Sequence, residues 1–132
     1  MTTPIRVLIV EDDADSVEIL RAFLRPLGHE VDRATHGADA LMAIRLVRPD
    51  VVLLDIRMRP MSGVEVLKRI RVIDPNLPVI MVTAADDPEL VAETREIGAY
   101  GYLVKPVDPE RLNRMIADAV AGSHRLDRSL TE

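Results

Sequence analysis

Val51-Val52-Leu53-Leu54-Asp55 runs on into Ile56-Arg57-Met58-Arg59-Pro60-Met61-Ser62-Gly63. Four consecutive apolar residues after the turn-forming Pro49-Asp50 predict a short strand buried on both faces. A carboxylate closes it. Asp55 therefore stands at the strand's C-terminal tip, where the chain leaves the sheet for a loop containing proline and glycine. In open parallel α/β sheets, ligands bind outside the carboxyl ends of the strands. What Asp55 is for depends on what the other strands bring to the same edge.

Working outward, Val7-Leu8-Ile9-Val10 is a second all-apolar strand ending in Glu11-Asp12-Asp13, and Val79-Ile80-Met81-Val82 is a third, ending in Thr83-Ala84-Ala85. Two more are shorter or mixed: Glu30 to Ala34 alternates polar and apolar, and Gly101-Tyr102-Leu103-Val104 ends in Lys105-Pro106. Helical spacing of apolar residues fills the intervals. Val17, Leu20, Phe23-Leu24 and Leu27 share one face before Pro26 and Gly28 close the helix; Leu41, Ile44 and Val47 share another. Val64, Leu67 and Ile70 follow after Gly63. Asp87-Pro88 caps a fourth helix that Gly98 stops. Only Leu90, Val91 and Ile97 are large and apolar in it, so it should pack over less area than its neighbours. Leu112, Met115-Ile116 and Ala119-Val120 mark the last helix, ending near Gly122. Met42, Met81 and Met115 read as core filler; His29, His36 and His124, without ligand-like grouping, read as solvated.

Five strands alternating with five helices predict a doubly wound (βα)5 α/β fold, a three-layer sandwich around a five-stranded parallel sheet. The all-apolar strands belong in its middle and the mixed ones at its edges. That arrangement is compatible with the flavodoxin-like order 2-1-3-4-5, which is the expected topology. Residues 1–122 are expected to form one domain and 123–132 a polar tail or the start of a linker, frayed at the end.

Composition removes several function classes. A chain of 132 residues with 48% apolar and 30% charged residues supports one domain with a real core. The formal charge of −5 and the lack of a basic run argue against gripping a nucleic acid by its phosphates. Without cysteine there is neither a disulfide framework nor a thiolate metal site. No apolar run approaches a membrane span and the N-terminus lacks a signal peptide's apolar region, so the expected compartment is the cytoplasm.

The strand tips together carry Glu11-Asp12, Asp55, Thr83 and Lys105. Like charges about 4 Å apart repel by about 4 kcal/mol at an effective dielectric near 20, so three carboxylates in one crevice call for a cation. All-oxygen ligands select a hard ion, and Mg²⁺ uses one or two carboxylates plus water and phosphate oxygens. Thr83 and Lys105 add a donor and a positive charge for a phosphoryl group. A carboxylate can itself be the nucleophile, forming an aspartyl-phosphate.

In these residues the chain resembles the receiver domains of two-component response regulators. The resemblance runs from about Arg6 to Val120 and rests on Glu11-Asp12, on Asp55 with Gly63 eight residues on, on Thr83-Ala84, on Tyr102 and on Lys105-Pro106. It implies that Asp55 accepts a phosphoryl group from the phosphohistidine of a sensor histidine kinase or a histidine phosphotransfer protein. It implies Mg²⁺ on Asp12, Asp55 and the backbone carbonyl of Arg57, with Glu11 acting through water. Thr83 and Lys105 would bind the phosphoryl oxygens, Thr83 and Tyr102 would form the switch, and the Lys105–Pro106 peptide would be cis. The output would be a downstream protein target or an output domain, reached through the fourth helix, fifth strand and fifth helix, with phosphorylation-dependent homodimerisation as one form. No direct nucleic-acid or membrane contact is implied.

Two departures are specific to this sequence. The family's proline four residues after the acceptor is Arg59 here, with Pro60 one later, so this loop is expected to run differently. Gly101 precedes Tyr102 and Val107 follows Lys105-Pro106, where the family often has an acid and a phenylalanine. The rival reading is a haloacid-dehalogenase-like Mg²⁺-dependent phosphatase working through an aspartyl-phosphate. That chemistry needs a second carboxylate two residues after the nucleophile, and Arg57 occupies the place. A flavin-phosphate binder needs a Ser/Thr/Gly-rich first loop, which Glu11-Asp12-Asp13 would deny.

Overall fold

A computed structural model describes the backbone of residues 4–131 and the side chains of residues 4–123. The elements follow in strict alternation: β1 (Arg6–Val10), α1 (Ala14–Leu24), a 3-10 turn (Arg25–Leu27), β2 (Glu30–Ala34), α2 (Gly37–Leu46), β3 (Val51–Leu54), α3 (Gly63–Ile73), β4 (Val79–Thr83), α4 (Pro88–Ile97), β5 (Gly101–Val104) and α5 (Pro109–Thr131). All pairings are parallel and the sheet order is β2-β1-β3-β4-β5. The apolar strands are central and the mixed strands are the edges, as their composition predicts. Among the described residues no helix is long and apolar enough to cross a membrane.

The period of two along each strand explains why the central strands are apolar throughout. Leu8, Val10, Val52, Leu54 and Met81 face the layer of α2 and α3, where Ile44, Leu67 and Ile70 meet them. Val7, Ile9, Val51, Leu53, Ile80 and Val82 face α1 and α5, meeting Val17, Leu20, Leu112 and Ile116. In α4 the one buried residue is Thr94, whose hydroxyl donates to the Leu90 carbonyl of its own helix at 2.9 Å. That helix is lightly packed.

Several expectations need correcting, each for a local reason. Leu27 lies in the 3-10 turn that Pro26 imposes and is half exposed, so the first helix's apolar stripe ends at Leu24. Met42 and Val47 are exposed rather than core. Gly37 and Ala40 take the buried positions of α2, because the helix lies so close that a Cβ on Gly37 would come within 2.7 Å of Val66. His29 is half-buried and its Nδ1 accepts from the Ile5 N–H at 3.4 Å. Gly122 does not stop α5. It lacks the positive φ of a helix-terminating glycine, which Gly28 and Gly98 have, and an interior glycine costs a helix only about 1 kcal/mol. The tail expected to fray instead continues α5 as far as Thr131, and the side chain of His124 lies outside the described residues.

Candidate functional site

Register carries the acidic residues to one edge. Val10 pairs with Leu54 and Leu54 with Met81, so β1, β3 and β4 end close to level. The hydrogen-bond ladder then runs one residue further on each side. Glu11 N–H donates to the Ala34 carbonyl and Asp55 N–H to the Val10 carbonyl, both at 3.1 Å. The two carboxylate-bearing residues are thus fixed by the sheet itself.

Above it, carboxylate oxygens of Glu11, Asp12 and Asp55 lie within 4.8 Å of one another. Glu11 and Asp55 are 2% and 7% exposed, whereas Asp12 faces solvent. Lys105, arriving from the end of β5, forms an ion pair with Glu11 Oε1, and its Nζ stands 3.8 Å from Asp55 Oδ2. The same Nζ donates to Ser16 Oγ at 3.1 Å, and Ser16 Oγ donates to Asp13 Oδ2 at 2.8 Å. Asp13 caps α1 by accepting from the Ser16 N–H, and its own N–H donates to Glu11 Oε2 at 3.2 Å. Asp55 Oδ1 accepts from the Arg57 N–H at 3.3 Å, while the Arg57 side chain is exposed.

Burial raises the Glu11 carboxyl to a pKa of about 7, with Asp55 adding to the shift and the Lys105 hydrogen bond opposing it. Asp13 moves the other way, held below the usual carboxylate value by the Ser16 hydroxyl and N–H. An oxygen-only donor set of this kind, part buried and part open, fits a hard divalent cation. Glu11, Asp12 and Asp55 together form that set, and Glu11 is at the same time paired with Lys105.

Thr83 and Tyr102 do not join the carboxylates directly. Thr83 is fully buried at the end of β4, and its Oγ1 accepts from the Ala85 N–H at 3.3 Å. Tyr102 is half-buried and donates its hydroxyl to the Ala85 carbonyl at 2.7 Å. Burial raises its pKa, and the charges of Asp87 and Asp86 raise it further. The Lys105–Pro106 peptide is cis, and so is Arg59–Pro60 in the loop after Asp55. That loop keeps Met58 buried and returns through a Gly63 N–H bond to the Ile56 carbonyl at 2.8 Å. A Cβ on Gly63 would run into the Asp55 carbonyl and come within 2.6 Å of Ile56 Cα. Glycine at 63 is a demand of the Asp55 turn.

The family model for the response regulator receiver domain matches residues 7–117. The chain belongs to the receiver family. This receiver is 38% identical over 123 residues to transcriptional regulatory protein ZraR of Escherichia coli, covering 93% of this chain and 28% of that protein. It is 36% identical over 107 residues to sporulation initiation phosphotransferase F of Bacillus subtilis, covering 81% of this chain and 86% of the relative. A CheY-like response regulator receiver domain protein from Methanospirillum hungatei superposes with a TM-score of 0.87 at 28% identity, over 93% of this chain and 98% of the other. The receiver thus spans under a third of the ZraR relatives it matches. Receivers are signalling domains; a phosphoacceptor role fits the site, and a phosphatase is not favoured.

Two residues of the receiver's site carry no motif in the sequence. Ser16 carries no signal in the sequence, yet its hydroxyl receives Lys105. Arg33 reads as an edge-strand charge, yet it reaches the backbone of the acidic loop. Both roles depend on which strands become neighbours, so no local spacing announces them.

Proposed function

We propose that this receiver accepts a phosphoryl group on Asp55 from the phosphohistidine of a sensor histidine kinase or histidine phosphotransfer protein. The observation that carries the reading is the convergence of Glu11, Asp12 and Asp55 within 4.8 Å, with Lys105 Nζ 3.8 Å from the acceptor. An Asp55 carboxylate oxygen attacks phosphorus, the new O–P bond forms as the P–N bond to imidazole breaks, and the electron pair of that bond leaves with the ring nitrogen. Lys105 is positioned to exchange its Glu11 partner for a phosphoryl oxygen, and the Thr83 hydroxyl to exchange the Ala85 N–H for another. Asp12, Asp55 and the Arg57 carbonyl would hold Mg²⁺, with Glu11 acting through water. When bound, Mg²⁺ supplies charge neutralisation for the cluster and for the transferring group.

An apolar cleft of about 370 Å³ beside Lys105, lined by Ile19, Leu20, Phe23, Pro106 and Val107, supports the approach of the phosphohistidine donor from the α1 side. The output would pass through α4, β5 and α5 to a downstream protein target, to an output domain, or to a second phosphorylated copy. Incubation with acetyl phosphate and Mg²⁺ tests the reading. One phosphoryl group per chain, lost in Asp55→Ala, is the expected result. Rapid turnover to free phosphate would favour the phosphatase instead, although Arg57 stands where its general acid belongs.

A further inference from the structure

Arg33 lies on the edge strand β2, opposite Ile9 of β1, and one pleat from Val31, which packs toward α1 and α5. From there its guanidinium spans the loop between β1 and α1. Nε donates to the Glu11 carbonyl at 3.3 Å and Nη2 to the Asp12 carbonyl at 3.1 Å. These are the main-chain oxygens of the two residues whose carboxylates meet Asp55. The loop runs only from Glu11 to Asp13, between a strand and a helix cap, and its carboxylates repel one another. Asp12 is exposed, so nothing in the core opposes its swing away from Asp55.

We propose that Arg33 is a positioning residue for the divalent-cation site, clamping the Glu11 and Asp12 peptides so that the carboxylates stay convergent before the ion arrives. The inference rests on the cation reading of Glu11, Asp12 and Asp55. A planar fork with several fixed donors suits two adjacent carbonyls, whereas a lysine supplies the charge without the fork. The positive charge of Arg33 acts against cation binding, but it is partly in solvent and screened there.

The test is titration of metal-free wild type, Arg33→Ala and Arg33→Lys with Mg²⁺ alone, following the amide resonances of Asp12 and Asp13. Both variants should bind Mg²⁺ about three- to tenfold more weakly, the range expected from one or two modest hydrogen bonds. Amide exchange at residues 12 and 13 should quicken in both. In phosphorylation from acetyl phosphate, half-saturating Mg²⁺ should rise by the same factor while the rate at saturating Mg²⁺ returns to the wild-type value. A purely structural role would lower that rate and the melting temperature together, and would overturn the proposal. Unchanged or tighter Mg²⁺ binding in Arg33→Ala, or full rescue by lysine, would overturn it too. If wild type itself fails to bind Mg²⁺, the cation reading falls and the clamp with it.

Discussion

Replacing Asp55 by asparagine removes one charge from the cluster, and its effect on metal-free stability can be worked from the geometry. Asp55 and Glu11, both buried and within 4.8 Å, repel by at least about 3.5 kcal/mol at an effective dielectric of 20. Asp12 is exposed, so its repulsion is closer to the aqueous limit of about 0.9 kcal/mol. Against these stands Lys105 at 3.8 Å, an attraction of about 4.4 kcal/mol on the same scale. Attraction and repulsion cancel. What remains is the cost of holding a carboxylate at 7% exposure, which asparagine avoids while keeping an oxygen for the Arg57 N–H. Asp55→Asn should therefore stabilise the metal-free receiver by about 1 kcal/mol, some 3–5 °C for a chain of this size. Thermal melts in chelator, at a pH near 8 where Glu11 is ionised, measure it directly. Mg²⁺ at a hundred times its dissociation constant should then raise wild type by about 2.7 kcal/mol and the variant by less. A metal-free variant that melts below wild type would refute the reasoning, since Lys105 would then be the dominant partner of Asp55.

Gly63→Ala drives a Cβ into the Asp55 carbonyl, so it should cost about 3 kcal/mol and impair phosphorylation; wild-type stability in urea melts would contradict the steric account. Arg48→Ala removes a 2.6 Å ion pair to Asp74 that is only partly shielded, worth about 0.5–1 kcal/mol. Burial pushes the Asp74 carboxyl up, but Arg48 and the Asn76 and Leu77 N–H groups outweigh that and hold it below 3.8. Its stabilisation is therefore present above pH 3.8 and lost as pH falls through the lower folded value, so the two proteins should converge in acid; a gap that persists there would exclude the pair as its source. With a phosphoryl mimic on Asp55, hydrogen exchange should change most in residues 84–104, and a change centred on 30–47 would move the output face to α2.

The sheet is legible because its central strands carry unbroken apolar runs, Val7 to Val10, Val51 to Leu54 and Val79 to Val82, and burial on both faces calls for that. Helix faces are less so. Counting every third or fourth apolar residue extends the first helix's apolar stripe to Leu27, which lies beyond the helix in the 3-10 turn, and puts Met42 inside although Gly37 and Ala40 hold the close contact. Of the site, the carboxylates and Lys105 could be read because strand tips in a parallel sheet converge by topology. Side-chain aim could not. Thr83 and Tyr102 both turn to Ala85, and Arg33 crosses 22 residues of sequence to reach Glu11, choices settled only by packing.

That shared partner says where a switch would act. Ala85 gives its N–H to Thr83 and its carbonyl to Tyr102, so one residue at the mouth of α4 links the proposed phosphoryl contact to the aromatic on β5. The other end of α4 is fixed. Arg71 donates to the Gly98 carbonyl through Nε and Nη2 at 3.1 and 2.8 Å, and through Nη1 to the Leu77 carbonyl at 2.7 Å. A helix with one buried residue, tethered at its C-terminal end, can move most at its N-terminal end, beside Ala85. On the proposed reading, turning Thr83 toward a phosphoryl oxygen deprives the Ala85 N–H of its acceptor and loosens that end. One hydrogen bond is worth about 1 kcal/mol, whereas shifting a population from 1:99 to 99:1 takes about 5.5 kcal/mol. Thr83 alone is therefore insufficient. On the same reading Lys105 would leave Glu11 for the phosphoryl group in the same step, so that the charge-assisted contacts at β5 and the released loop at β4 would bias α4 together.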